Sequence, residues 1–455
     1  MPSGRSTSTL ATIATAVGLL AAGCHGKPET EPAAPPPERS GPAGVVRVAL
    51  PELPWPLDAA RLEGRDAVTV ARALLSTPLR TDPATGALRP GLCSRWRGDP
   101  AGRTWRFRCR SAAAIAAQLR RVARLAGSPW RWIFTPVALV STPDAETLVV
   151  RLRFPWRRFP YALTVPAASP PDLPGPFRVV AASRERIVAE RPGLRLVFLR
   201  LEPRLALRAF RRGLLDEAPV PVGRLHATRA DPALAAELRV RPIRAVDLVD
   251  LGETLGGAPE LRLAYWRTAA RADYEALVPE FAAPQAFGLV RTEGSDERAS
   301  PSLFRSARKS IPSLPQLPLG IVVGTDPEAV YGARILWAAW RDLDLRPAVL
   351  PRRGPGAPGA ARFRRLVAAY PQPEALLAAI LLERSSSPAA AKDLVAALGA
   401  VDPGALLARA DASLQEHARV IPVAWVADAR LVSSRLRGWR RDALGDVDYT
   451  RVRAP

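Results

Sequence analysis

The sequence predicts an α/β protein of more than one packed unit, and three observations lead there. The chain has 455 residues with 48% apolar content, more than one compact core normally organises. Short β-branched runs such as VVRVAL at Val45 alternate with stretches of helical spacing, such as Val70, Leu74 and Leu75 in DAVTVARALLS. The last apolar run, Val420 to Val426, is broken only by Pro422 and reads as a strand entering a core. A core strand kept for the end of a chain closes something begun earlier.

The formal net charge is +22, which by itself suggests an anionic partner. Two features argue against reading it that way. Lysine occurs only at Lys27, Lys309 and Lys392, and asparagine is absent. The excess is therefore arginine, as in a GC-rich coding bias. These arginines are scattered along the chain, which fits a solvated surface with no nucleic-acid partner.

From the amino terminus, Arg5 precedes an apolar run from Leu10 to Gly23, too short for a membrane-spanning helix and the right length for an export signal. It ends Leu-Leu-Ala-Ala-Gly-Cys, so residues 1–23 read as a lipoprotein signal peptide and Cys24 as the acylated anchor. Ordinary secretion with a free Cys24 is the alternative. Residues 24–44, rich in Pro, Glu and Ala, cannot bury enough surface to fold. They form a semi-extended tether with a reach of up to roughly 60 Å.

The folded part starts at Val45. The segment Asp82-Pro83-Ala84-Thr85-Gly86 is a turn between strands. Ser94 to Arg97 and Thr104 to Arg108 then read as a hairpin about Gly98 to Gly102. A register with Arg97 opposite Trp105 places Cys93 opposite Cys109, and in an exported protein such a pair is oxidised. A zinc site is poorly supplied, with no histidine nearby. Ser111 to Leu125 is a helix capped by Ser111, with Ile115, Leu119 and Val122 on its apolar face.

Two strands about Pro143-Asp144-Ala145 follow between Pro136 and Arg153, and two more lie in RIVAERPGLRLVFLRLEP, before the helix LALRAFRRG. Beyond the Gly-rich change at Asp247 to Gly257, Glu260 to Trp266 (ELRLAYW) reads as a strand and Asp273 to Phe281 as a short helix. Thr292 to Leu317 is loop-like. A buried strand at Leu319 to Gly324, a helix at Asp326 to Leu343 and a strand at Leu345 to Leu350 come next.

Several of these pieces carry a resemblance at fixed spacing. Near the amino terminus they are Val48 to Pro51, Leu57, Asp58, Leu79, Asp82, Pro83, Thr85, Gly86, Leu88, Pro90 to Leu92 and Trp96; at the carboxyl terminus, Ile421, Pro422, Trp425, Val426, Ala429 to Val432, Gly438, Trp439 and Asp448 to Val452. This pattern resembles the extracellular solute-binding proteins of ABC importers, the oligopeptide/dipeptide-binding class known as family 5, in a divergent and shortened form. The resemblance implies a two-lobed periplasmic-binding-protein-like fold, type II and cluster C-like, with mixed sheets and an interlobe cleft. It divides the chain into residues 45–255 as the first lobe, including an extra amino-terminal subdomain, 256–418 as the second lobe, and 419–455 as the return to the first.

The family's ligand-facing segment, W-x-A-D-Y-P-D-P-x-x-x-L, is similar to Leu366 to Leu376 here. Tyr370, Pro371, Pro373 and Leu376 match. The aspartate that receives a peptide's amino group falls on Ala369, however, and the second aspartate on Gln372. Such a carboxylate typically contributes about 1.5 to 3 kcal/mol. Peptide specificity is therefore not implied with the fold. Trp55, Tyr370 and Trp425 are the candidate cleft residues, as aromatic faces suited to flat or apolar groups.

An enzyme is not indicated. No Gly-x-Ser-x-Gly, His-Glu-x-x-His or phosphate-cradling Gly-Lys-Ser/Thr motif occurs, and the only histidines are His25, His226 and His417. No metal or cofactor is expected. The resemblance implies a monomeric, exported, lipid-anchored receptor in a periplasm or on an outer cell surface, handing a peptide-like or other small solute to ABC permease subunits. The alternative is a surface lipoprotein of the same fold that has lost transport and acts as a scaffold or adhesion component.

Overall fold

The protein is described here from a computed structural model covering residues 41–62, 64–221, 223–251, 259–277, 282–290, 293–297, 302–303, 306, 320–323, 327–341, 348–351, 361–383 and 387–455. The expected signal peptide, Cys24 and most of the tether lie outside the described residues, as does most of Thr292 to Leu317.

The first strand, β1 (Val45–Leu50), alternates as its sequence suggests, with Val46 and Val48 fully buried. The short pair β2 (Leu79–Thr81) and β3 (Leu88–Pro90) is joined by the expected turn, in which Asp82 accepts from the backbone N–H groups of Ala84 and Thr85 at 3.0 and 3.1 Å. Four strands then form a separate antiparallel sheet: β4 (Cys93–Gly98), β5 (Thr104–Cys109), β6 (Val137–Ser141) and β7 (Thr147–Leu152), in the order β4-β5-β7-β6. One face of this sheet packs on the helix Ala112–Arg124 through Phe107, Leu148, Val150, Ile115, Leu119 and Val122.

Two local expectations change here. Arg97 pairs with Arg106, not with Trp105. A register shift between Cys93 and Arg95 absorbs the extra residue and returns Cys93 to its place opposite Cys109, where the two form a disulfide. Ser111 does not cap its helix: it sits at φ 62°, and its side chain makes no capping bond. The chain must reverse between β5 and the helix, and the left-handed residue performs that reversal.

The main sheet continues with β8 (Arg178–Ala182), β9 (Arg186–Arg191), β10 (Leu194–Arg200), β11 (Glu217–Pro219) and the long β12 (Leu238–Asp250). The later chain adds β13 (Ala282–Gln285), β14 (Gly320–Val323), β15 (Ala348–Pro351), β16 (Ala361–Val367) and β17 (Val420–Val432). The order is β15-β14-β16-β12-β17-β11-β1-β10-β9-β8, with β13 paired to β17. Early strands therefore occupy one end and late strands the other. Only β12 and β17, each 13 residues long and antiparallel to one another, belong to both ends.

The division along these two strands can be read in their pairing. Leu238 to Ile243 of β12 faces Leu431 to Val426 of β17, whose Arg430 to Val432 also meets β11. Past a register shift between Ile243 and Val246, β12 stays paired with β17 from Val246 to Asp250, and its other edge, Ala245 to Asp250, takes on β16. The bulged residue Arg244 turns its backbone out of the ladder, donating to Ala443 O and accepting from Ala368 N.

The carboxyl terminus packs against the first strand. Val432, Leu436, Val447, Tyr449 and Val452 share a core with Val46, Val48 and Phe198, and Gly44 N donates to Ala454 O at 2.7 Å. Buried Glu217 at the sheet centre accepts from both Tyr449 Oη and Trp439 Nε1 at 2.8 Å. At the other end of the sheet, Val249, Tyr265, Ile321, Trp340, Phe363 and Ile421 form a second core.

Glu260 to Trp266 is not a strand. It lies in the helix Pro259–Arg267, with Leu261, Ala264 and Tyr265 buried on one side. In so short a run, alternation and the i, i+3, i+4 pattern fit the same leucines, and packing against Trp340 at a ring separation of 4.8 Å selects the helix.

Candidate functional site

The segment Leu366 to Leu376 connects β16 to the helix Ala375–Leu381, every residue of which is buried. Its apolar run explains the burial: between Arg365 and Glu383 the sole charged residue is Glu374. Tyr370 is fully buried, its ring 6.4 Å from Trp132 and 6.3 Å from Trp156. Trp156 in turn meets Phe159 edge-on at 5.6 Å. An aromatic cage built from residues on both sides of β12 in the sequence thus surrounds the start of this helix.

Inside the cage the polar atoms are poorly satisfied by the protein. Both carboxylate oxygens of Glu374, the hydroxyl of Tyr370 and the indole nitrogen of Trp156 are buried and make no hydrogen bond of good geometry with the described residues, although the Trp156 indole lies near enough to Glu374 to favour its charged form; the indole nitrogen of Trp425, packed against the same apolar cluster, is likewise buried and unpaired. Glu374 itself is 0% exposed. Arg158 brings its guanidinium to 3.9 Å from the carboxylate, beyond direct hydrogen-bonding reach. Leaving such groups unpaired costs about 1 to 3 kcal/mol each, and more for a charge.

The electrostatics follow from this geometry. Burial pushes the Glu374 carboxyl above its ordinary range, against the pull of its own backbone N–H, of Arg158, of the Trp156 indole and of Arg244. Burial, together with the Glu374 charge, holds the Tyr370 hydroxyl far above the usual tyrosine value and raises Tyr161 as well. Burial lowers Arg244, and the same carboxylate opposes that shift. The site is one acceptor-only carboxylate ringed by indole, phenol and guanidinium donors.

Of the residues singled out from the sequence, Tyr370 and Trp425 belong to the same apolar cluster, Tyr370 within it and Trp425 packed against it. Trp55 packs instead against the core that holds β1 and the carboxyl terminus. Ala369 also lies against the Tyr370 cluster and, as expected, presents no carboxylate. Glu374, Trp156, Arg158 and Arg244 were not singled out as polar site residues. The isolation of Glu374 in an otherwise uncharged stretch was the available signal; nothing local in the sequence marks Arg244, whose place is set by a bulge.

A surface recess of about 460 Å³, lined by Gly175, Pro176, Arg178, Glu190, Arg191 and Pro192, lies at the β8–β9 edge and includes none of these residues. Among the described residues no group of His, Cys, Asp and Glu side chains is arranged to hold a metal ion. None of the described helices is long and apolar enough to cross a membrane.

No family model matches the sequence, and no curated protein does. Solved structures do match. The Burkholderia pseudomallei oligopeptide-binding protein OppA superposes with a TM-score of 0.78 at 18% identity, covering 91% of this chain and 100% of that one. Haemophilus influenzae OppA in complex with the peptide RPPGFSPFR gives 0.76 at 16% identity, over 90% of this chain and 99% of that one. The ABC transporter-associated protein DppA of Helicobacter pylori, in complex with the peptide STSA, gives 0.76 at 14% identity, over 90% and 98%. Over nearly its whole length, the chain has the mixed-sheet α/β fold of the oligopeptide- and dipeptide-binding proteins of ABC importers.

Proposed function

We propose that the protein is a divergent solute-binding lipoprotein of an ABC importer, anchored through Cys24 and capturing a small solute for a permease. The single observation that carries this is the poorly satisfied polar set of Glu374, Tyr370 and Trp156, fully buried in one aromatic cage. Proteins rarely bury so many unsatisfied groups together unless something else completes them. The fold shared with OppA and DppA, and the carboxyl-terminal signature from Ile421 to Val452, support the same reading.

The residues of the cage come from both partitions of the chain. Trp156 and Arg158 belong to residues 45–255 and Tyr370 and Glu374 to 256–418, while Trp425, packed against the same apolar cluster, belongs to the returning strand. A ligand that bonds all three stabilises the closed arrangement over the open one, which is the requirement for a hinge equilibrium driven by binding. Glu374 calls for a donor, an ammonium or guanidinium group, while the indoles and Arg158 call for acceptors. The solute class is therefore a small zwitterion or polar amine, peptide-like or otherwise, and Glu374 stands in for the carboxylate lost at Ala369.

Isothermal titration with a varied set of short peptides and small amines tests this. Micromolar affinity corresponds to about 8 kcal/mol. Binding that weakens by roughly 10- to 100-fold in Glu374→Gln is expected, since a charge-assisted bond contributes about 1.5 to 3 kcal/mol. Absence of heat from the whole set at millimolar concentration would end the reading.

A further inference from the structure

The four-stranded sheet has an outer face unlike the rest of the surface. Arg95 and Arg97 of β4, Arg106 and Arg108 of β5 and Arg151 of β7 all point to this side and are exposed. Their inward-alternating neighbours Phe107, Leu148 and Val150 are buried against the helix Ala112–Arg124. Arg95 stands directly opposite Arg108 and Arg97 directly opposite Arg106. Like charges directly opposite one another destabilise a sheet.

Counterions within the protein do not offset this. Glu146 pairs with Arg108 at 2.7 Å, and Asp144 also acts on Arg108. Arg95, Arg97, Arg106 and Arg151 make no ion pair or side-chain hydrogen bond with any described residue. A recess of about 220 Å³ opens at one end of the face, beside Arg108, Arg110 and Glu146, and includes none of the four unpaired arginines. Val149 and the edge residue Leu139, 52% exposed, add apolar contact beside the guanidiniums.

We propose that this arginine-lined face docks on an anionic phospholipid surface, its guanidiniums meeting headgroup phosphates. Unpaired cations spread over one sheet face match the spread phosphates of a headgroup layer, and planar guanidinium groups bond phosphate in pairs. Each basic side chain near such a surface adds to the attraction. The choice of a bilayer over another polyanion rests on the lipid-anchor reading of Cys24, which keeps the fold within reach of a membrane. The face then orients a tethered body whose anchor alone leaves it free to tumble.

The test is co-sedimentation of the full chain with vesicles of phosphatidylcholine alone and of phosphatidylcholine mixed with phosphatidylglycerol. The Cys24→Ser chain runs beside it. The amino-terminal apolar run and any acyl chains bind both vesicle types; the arginine face contributes the increment that requires phosphatidylglycerol. That increment should persist in Cys24→Ser, which separates this inference from the anchor. It should weaken by about tenfold or more in the Arg95→Ala/Arg97→Ala/Arg106→Ala/Arg151→Ala variant, and survive when the same positions carry lysine. It should vanish between about 0.1 M and about 1 M salt, as the Debye length shrinks from about 10 Å to about 3 Å.

A control variant with the same charge change, Arg178→Ala/Arg204→Ala/Arg208→Ala/Arg212→Ala, should keep the increment. Thermal unfolding of the face variant should show no loss of stability, because it removes repulsion and no buried contact. Equal loss in both variants assigns the effect to diffuse charge and overturns the proposal. So does binding of a short DNA duplex through these arginines with no phosphatidylglycerol increment.

Discussion

Arg158 Nη1 stands 3.9 Å from Glu374 Oε2, close enough to feel the charge and too far to bond it. The carboxylate is therefore buried, attracted and only weakly satisfied. That combination is costly in the free protein and useful when a ligand supplies the missing donors.

Glu374→Gln should consequently stabilise the free protein while weakening ligand binding. Removing the uncompensated charge is expected to add about 1 to 3 kcal/mol to unfolding free energy at neutral pH. The sign of the pH dependence follows from the raised folded-state value. The folded protein holds the proton more tightly than the unfolded chain, so stability falls as pH rises from the ordinary glutamate value of 4.5 towards the raised one. Urea titrations across this window should show the decline in the native protein and its absence in Glu374→Gln.

Asp216 shows the opposite linkage. It accepts from the backbone N–H of Arg47 at 2.8 Å and from Arg47 Nε at 3.0 Å, and Arg435 Nε approaches at 2.7 Å. These partners overcome burial and hold its carboxyl below the ordinary 3.8. Its contribution is present above that value and is lost as pH falls through the lower folded-state one. Asp216→Ala should cost about 3 kcal/mol, because it leaves two arginines without their shared partner. Chemical denaturation at neutral pH measures the loss, and its narrowing in acid checks the sign.

The Cys93–Cys109 disulfide closes a loop of sequence separation 16 at the mouth of the β4–β5 hairpin. Replacing both cysteines by serine, or reducing the native protein, should lower stability by about 3 kcal/mol by the loop-entropy estimate. Thermal unfolding with and without reductant reads the difference, and the doubly substituted chain should be indifferent to reductant.

Arg271 is 0% exposed, its guanidinium 4.6 Å from the Trp266 ring and 4.7 Å from that of Phe287. It donates to the carbonyls of Ala286 and Pro422 at 2.8 and 2.9 Å and pairs with Asp296. Lysine has neither the flat face for the rings nor the fork for these acceptors. Arg271→Lys should therefore cost about 2 to 3 kcal/mol despite the kept charge, measured by denaturant unfolding.

Much of the architecture was legible because it is written in near neighbours. Alternation in Val45–Leu50, turn chemistry at Asp82 to Gly86 and the 3.6-residue period of Ile115, Leu119 and Val122 each need only a few consecutive residues. The terminal strand was visible for the same reason. What failed locally failed at reversals and short runs: Ser111 became a left-handed reversal residue, and Glu260 to Trp266 became a helix.

Local residue patterns were enough for the α/β class, the terminal strand, the position of the cysteine pair and the loss of the expected aspartate at Ala369. The meeting of Glu374 with Tyr370, Trp156 and Arg158, and the gathering of arginines from separate strands on one sheet face, came from the folded arrangement of distant segments. The physical reason is register. Which side chains meet across β12 and β17, or face outward from β4, β5 and β7, depends on bulges at Ile243/Val246 and Cys93/Arg95. A shift of one residue there moves side chains to the opposite face, and no stretch of sequence read alone fixes that shift.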